Sequence, residues 1–433
     1  MRKVHYAIVI IPIVTLLFGY FYSIVSYRGD IFPYPQIKVI YTIIFDDYAA
    51  EKLHEKVQEK IDKVTVTGNR EGPIDLNNLV RDGRVIESLT VPFLKRSVEI
   101  KSLVEYGVPL IKGPGGGVCR AGNFLVLLGG QGNGVLIKLD TMTVTGQISF
   151  SNMDSERGGE FNGILDVACD TVINPQIAYI IYQRIHREVA DPAVQFRTIV
   201  VKVDLADFQN ASLSHVWTSE LTGQNFAGRL VALPGNKALI SFSDSEPYGK
   251  LQTNGLFRPQ DPNTLVGKII RVDLSSGHHE IYSQGHRNPQ GLFITPEGEI
   301  YETEHGPKGG DELNFIVSGG NYGWPHESHG VDYGSYRWKH GEAGRHDNFD
   351  RPVFSWVPSI AVSNLIRVED FHPSWKGDFL VASLKAQSLY RLRLDKDHKV
   401  EFVEQIWIGS RIRDLVEIDA SRIALWTDDS KLI

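Results

Sequence analysis

The chain has 433 residues and a formal net charge of -7, with 42% hydrophobic and 10% aromatic residues. That is ample for a large apolar core, and the acidic balance argues against a nucleic-acid partner. Two cysteines, Cys119 and Cys169, exclude a disulfide-built scaffold; one bridge and two buried thiols both stay open.

Arg2 and Lys3 precede an uncharged apolar run from Tyr6 to Tyr27. Its length suits the roughly 20 residues that cross a bilayer. Tyr6, Tyr20, Tyr22 and Tyr27 lie towards its ends, where aromatic rings prefer the interface. Residues 1–28 are therefore expected to be a cytoplasmic stub and a transmembrane anchor, with the rest outside the cytoplasm. A cleaved signal peptide would want a shorter apolar core and small residues at the cut, and Ser23–Ser26 matches this weakly. Asp46–Lys63 carries helical spacing at Ala49, Leu53, Val57 and Ile61. Residues 29–96 read as a stalk or N-terminal extension, partly helical and partly irregular.

From about Ser97 the texture changes to short strands and turns. Asn123–Leu128 pairs with Gly134–Asp140, and Ala178–Tyr182 with Thr198–Leu205. Lys237–Phe242 pairs with Gly267–Leu274, Glu299–Glu304 with Glu312–Val317, and Gly377–Ala382 with Ser388–Leu394. Arg422–Trp426 starts a sixth unit. Hairpins recurring at this spacing predict an all-β, six-bladed β-propeller over residues 97–433. Because the chain ends soon after its last hairpin, Ser97–Val104 is expected to close the ring by strand pairing.

One stretch, Gly285–Pro325, crowds polar residues into loops on either side of a strand pair. His286, Arg287, Asn288 and Gln290 precede it, and His305, Lys308, Asp311 and Glu312 follow. Convergent polarity on a rigid frame is where binding chemistry sits; the bland alternative is a Gly-rich turn rim. The segments GHRNPQG (Gly285–Gly291), EHGPKGGDELN (Glu304–Asn314) and GGNYGWP (Gly319–Pro325) resemble the glucose/sorbosone dehydrogenase family. That family comprises soluble glucose dehydrogenases and aldose sugar dehydrogenases that depend on pyrroloquinoline quinone (PQQ). Gly228-Arg229-Leu230, Ser383-Leu384-Lys385 and Arg411-Ile412-Arg413-Asp414 match in the same order. The resemblance runs from about Gly107 to the C-terminus and implies a six-bladed propeller.

The resemblance further implies that Arg287 and Asn288 face the quinone carbonyls, while Lys385, Arg411 and Arg413 pair with its carboxylates. The backbone carbonyls of Gly306 and Pro307 would bind the Ca²⁺ that polarises the cofactor. The chemistry is apt: Arg suits planar carboxylates, Lys supplies a point charge, and Ca²⁺ takes oxygen ligands. Arg411 and Arg413 alternate on one strand-like stretch, so they point to one face and suit a shared anion site. Glu312, Tyr322 and Asp332 suggest a second, structural calcium, with an ion-free acidic loop as the alternative. His326, His329, His340 and His346 form a histidine-rich loop better read as surface histidines than as a metal centre.

One departure bears on catalysis. The family's base is a histidine three residues before Gly-Arg-Leu, and here that position is Asn225. An amide accepts no proton near neutral pH, although it can hydrogen-bond a substrate hydroxyl. His305 or Glu304 could supply a base from the adjacent loop. The expected function is a membrane-anchored dehydrogenase of sugars or other alcohols, with Arg287 polarising the receiving carbonyl and electrons leaving to an external acceptor. The alternative is a non-catalytic propeller that binds a ligand, carbohydrate or partner protein.

Overall fold

Strands dominate because apolar, β-branched runs of four to eight residues are punctuated by Gly, Asn and Asp turns. The computed structural model describes residues 88–93, 96–101, 115–149, 160–170, 176–188, 191–206, 213–246, 249–334, 337–341 and 344–433. The apolar run Tyr6–Tyr27 and the extension up to residue 87 lie outside the described residues. Among those described, no helix is long and apolar enough to cross a membrane.

β1 (Ser88–Phe93) and β2 (Arg96–Lys101) form a hairpin of their own. The first four-stranded sheet is β3 (Gly116–Ala121), β4 (Phe124–Gly129), β5 (Asn133–Lys138) and β6 (Thr143–Ser149). The second is β7 (Glu160–Cys169), β8 (Ile177–Glu188), β9 (Asp191–Asp204) and β10 (Ser214–Thr218). β11 (Leu230–Leu233), β12 (Lys237–Ser241), β13 (Lys268–Asp273) and β14 (His279–Gln284) make the third. The fourth is β15 (Pro289–Ile294), β16 (Ile300–Glu304), β17 (Asp311–Ile316) and β18 (Phe354–Trp356). The fifth is β19 (Val362–Arg367), β20 (Phe379–Ser383), β21 (Ser388–Leu394) and β22 (Val400–Trp407). β23 (Ile412–Asp419) and β24 (Arg422–Thr427) form a two-stranded sheet. Every sheet is an antiparallel meander, and each hairpin expected from the sequence is the central strand pair of a sheet.

Among the described residues the propeller shows five four-stranded blades, where six were expected. The unit begun at Arg422 is a two-stranded sheet of β23 and β24. The chain then turns back: Leu425 and Ile433 exchange both backbone hydrogen bonds, each 2.9 Å. Of the expected closing strand Ser97–Val104, residues 97–101 pair within the β1–β2 hairpin, and residues 102–104 lie outside the described residues.

The two-stranded sheet still lies between the fifth blade and the first. Each sheet buries both faces, so its central strands are continuously apolar rather than alternating. Val126 and Leu128 of β4 face the second blade, packed with Ile180 and Tyr182. Leu125 and Leu127 point the other way, onto Ala424 and Trp426 of β24. Leu425, between those two, packs with Leu380 and Ala382 of the fifth blade. Cys119 on β3 and Cys169 on β7 form a disulfide, with a Cα–Cα distance of 5.5 Å. It closes a loop with a sequence separation of 50, which restricts the unfolded chain by about 4 kcal/mol in the chain-entropy account.

Candidate functional site

The first strands of the blades converge on one buried arginine. Arg229, just before β11, is 4% exposed. Its Nη1 donates to Asp166 Oδ1 on β7 at 2.9 Å and lies 3.3 Å from Asp414 Oδ2 on β23. Its Nε donates to the Gln290 carbonyl on β15 at 2.7 Å, and its Nη2 to the Arg413 carbonyl at 2.9 Å. Asp414 also accepts from Asn364 Nδ2 on β19 at 2.6 Å and from the Val118 amide on β3 at 2.8 Å. All six first strands thus meet in one charge network. Gly117 permits this closeness, since a Cβ there would stand 2.5 Å from Asp166 Oδ1. Burial pushes the Asp166 carboxyl up to about 7; Arg229 opposes the shift and Asp414 adds to it.

Beside this network lies the loop rim of the fourth blade. Arg287 donates Nη1–H to the carbonyls of His305 and Gly306, both at 2.9 Å. Its guanidinium sits 5.2 Å from the Trp324 ring, and its buried Nε has no hydrogen-bond partner. The backbone amides of Arg287 and Asn288 both donate to Glu304 Oε2, at 2.6 Å and 3.2 Å. His305 donates Nε2–H to the Val362 carbonyl at 2.6 Å, which leaves Nδ1 as the lone-pair nitrogen. Asn288 Nδ2 is 3.4 Å from that Nδ1. Burial lowers the His305 pKa, against the opposing pull of Asp311.

Backbone carbonyls and a carboxylate hold the rest of the rim. Asp311 receives the amides of Gly306, Ile360 and Ala361 and the Ser359 hydroxyl. A Cβ on Gly306 would run into the Gly309 and Gly310 carbonyls, so only glycine fits. Pro307 is buried next to it. Gly306 O, expected to hold a calcium ion, accepts instead from the Arg287 guanidinium at 2.9 Å.

The expected basic residues are partly gathered. Arg413 and Arg411 do share an anion, which is the chain's own Asp428: Arg413 reaches it at 2.8 Å and Arg411 at 3.1 Å. Gln290 links Arg413 to the rim, with its Oε1 3.4 Å from Arg413 Nη1 and its Nε2 donating to Asn288 Oδ1 at 2.9 Å. Lys385 is exposed and forms no ion pair with a described residue. Its backbone amide donates to the Ile360 carbonyl at 3.1 Å, on the segment that anchors Asp311.

Asn225 is 2% exposed and fully occupied by its own blade. Its Oδ1 accepts the amides of Ala227 at 3.1 Å and Ser243 at 2.9 Å, and its Nδ2 donates to the Ser241 carbonyl at 3.2 Å. It works as a backbone clamp. Glu312, Tyr322 and Asp332 each have separate partners. His329 Nδ1 is 3.2 Å from Glu312, Lys339 is 3.4 Å from Asp332, and the Tyr322 hydroxyl donates to the Phe315 carbonyl at 2.5 Å. The loop histidines are ring partners rather than uniformly surface groups. His329 stacks on His346, which is 4% exposed, and His326 and His340 flank Phe257.

Gly228-Arg229-Leu230 and Arg411-Ile412-Arg413-Asp414 contain Arg229 and Asp414 without marking their role, and no motif marks Asp166 or Glu302. The available signal was a lone charge in an apolar strand, as in Ile164-Leu-Asp166-Val. Trp324 was visible only as motif, although its Nε1 donates to buried Asp244 at 3.0 Å.

Residues 133–433 match the family model described as Glucose / Sorbosone dehydrogenase. An uncharacterised protein from Synechocystis sp. (strain ATCC 27184 / PCC 6803 / Kazusa) is 30% identical over 316 residues, covering 67% of this chain and 75% of that one. Aldose sugar dehydrogenase YliI of Escherichia coli (strain K12) is 30% identical over 227 residues, 48% of this chain and 58% of its own length. The PQQ-bound form of aldose sugar dehydrogenase from Streptomyces coelicolor shares the fold, with a TM-score of 0.53 at 20% identity over 74% of this chain and 92% of that one.

Proposed function

The chain belongs to the glucose/sorbosone dehydrogenase family, a family of oxidoreductases, and from that premise we propose that it is a PQQ-dependent dehydrogenase of a sugar or other alcohol. The observation that carries the reading is the Arg287 guanidinium. It is held by two carbonyls, one of them that of His305, and by an indole face, yet keeps a buried, unpartnered Nε. An orphaned charged donor in a polar rim suits an anionic, carbonyl-bearing ligand.

The residues present fit the quinone. Arg287 and Asn288 would contact its carbonyls and Lys385, unpaired with any described residue, a carboxylate; Arg411 and Arg413 would have to turn from Asp428 to reach the others. The bound quinone would supply the two-electron acceptor. Calcium fits only where the Arg287 guanidinium releases the Gly306 carbonyl; that carbonyl and the one of Pro307 would then be two of the six to eight oxygens it takes.

The chain's own part is to orient and to move a proton. Glu304 fixes the Arg287–Asn288 backbone, and the Arg287 guanidinium would face the receiving carbonyl. The proton of the substrate hydroxyl goes to His305 Nδ1, whose lone pair is set by the Nε2–H bond to Val362. Glu304 is a poorer base, because both backbone amides already occupy its Oε2.

One observation favours a second reading, a non-catalytic ligand-binding propeller: Asn225 stands at the family's base position and is consumed by backbone bonds. Titration of the full chain with PQQ and Ca²⁺, followed by dye reduction on a panel of aldoses and alcohols, separates the two. Stoichiometric quinone binding with turnover is the expected result. Binding without turnover on any substrate supports the second reading, and absence of binding overturns both cofactor and site.

We also propose that Tyr6–Tyr27 anchors the chain in the cell membrane, with the propeller on the exported side and electrons passing to an external acceptor. The Cys119–Cys169 bridge supports an oxidising compartment.

A further inference from the structure

We propose that the fourth blade contains a buried site for a divalent transition-metal ion of the Zn²⁺ or Mn²⁺ class, built from His286, Glu302 and Glu304. One ligand atom from each of the three lies within 4.8 Å of the other two, and all three residues are buried. Three side-chain atoms at this spot lack any hydrogen-bond partner: His286 Nδ1, Glu302 Oε1 and Asn314 Oδ1. His286, Glu302 and Asn314 are 0% exposed, and Glu304 is 4% exposed. Two carboxylates have been taken out of water with no Lys or Arg among the described residues to pair with either. Such a cluster is costly unless a cation occupies it.

The local fold explains the convergence. Glu302 and Glu304 alternate on β16 and so share one face. Asn314 is directly opposite Glu302 on β17, and its Nδ2 donates to Glu302 Oε2 at 3.0 Å and to Glu304 Oε1 at 3.2 Å. That amide clamps both carboxylates in place. His286, on the turn between β14 and β15, stacks on Tyr322, and its Nε2 lies 2.8 Å from Ser283 Oγ. A ring that gives its Nε2–H to Ser283 turns a bare Nδ1 lone pair inward, the outer-shell arrangement of metal-bound histidines.

The spacing and donor types select the ion. His286 Nδ1 is 3.7 Å from Glu304 Oε1. With bonds of about 2.0–2.2 Å, two ligands on a tetrahedral zinc ion are separated by about 3.4 Å. One imidazole with carboxylate oxygens suits zinc or manganese better than calcium, which takes oxygen alone. The site is also linked to the rim: Glu304 offers Oε1 to the ion while Oε2 receives the Arg287 and Asn288 amides. The ion would be a positioning element for those residues and would not touch substrate.

The test uses the full chain, stripped with chelator and titrated separately with Zn²⁺ and Mn²⁺ in excess Ca²⁺. One equivalent of Zn²⁺ or Mn²⁺ per chain is expected, weakened at least tenfold in Glu302→Gln. Failure of both ions to bind stoichiometrically, or unchanged binding in a folded Glu302→Gln protein, overturns the proposal. X-ray absorption at the edge of whichever metal binds the unmutated chain reads the ligands directly, without relying on a variant. A shell of one imidazole with oxygens supports the site, and a shell without imidazole overturns it.

Discussion

Arg229 donates to Asp166 at 2.9 Å in a network where both side chains are almost wholly buried. This pair joins the second blade to the third, and the same guanidinium reaches the fourth blade and the terminal sheet. Removing it leaves Asp166 and Asp414 as uncompensated buried carboxylates. Arg229→Met is expected to destabilise the fold by about 3–5 kcal/mol in urea melts, far more than an exposed arginine would. A loss below 1 kcal/mol would mean that the network is not a structural axis.

The same network predicts a pH dependence. Burial raises the folded-state pKa of Asp166 to about 7, against 3.8 as its ordinary value. The folded state therefore binds this proton more tightly than the unfolded chain. Its contribution to stability is full below about pH 4 and falls as pH rises to about 7. The melting temperature of the unmutated chain minus that of Asp166→Asn, compared from pH 5 to pH 8, should fall as pH rises. A difference that grows more positive with pH would contradict the raised value.

Asn225→Ala removes a clamp on the Ser241 carbonyl and on the Ala227 and Ser243 amides. Chemical denaturation should show a loss of about 1–3 kcal/mol for each buried backbone group left unpaired. Asn225→His should not raise dye reduction, because a ring cannot replace that clamp without displacing the loop. A histidine variant with gained turnover and unchanged melting would return the base to position 225.

His305→Gln tests the proposed base. The glutamine amide can still donate towards Val362 but takes no proton. kcat should fall by about 10²–10⁴ with KM and melting temperature nearly unchanged. Unaltered kcat would remove His305 from proton transfer.

Much of the propeller was legible because a buried blade writes itself as paired apolar runs. Lys237–Phe242 with Gly267–Leu274 is such a case, and the central strands appeared where the pattern put them. Blade closure was not legible. Whether Arg422–Trp426 joins a full blade depends on which strands pair beside β24, a tertiary contact that leaves little mark in local hydrophobicity. The loop Gly285–Pro325 was legible as polar and Gly-rich, whereas the role of Glu302 beside Glu304 was not.

The sequence by itself determined the strand inventory, the family and the residue types at the rim, because these follow from periodicity and motif within short windows. Tertiary structure alone decided the partners. Asn225 spends its amide on its own backbone, Arg411 and Arg413 share Asp428, and Cys119 meets Cys169. His286 reaches β16 only because the turn before β15 folds over it. A side chain's chemistry is set by what lies within a few ångströms, and in a propeller those neighbours arrive from strands far apart in the chain.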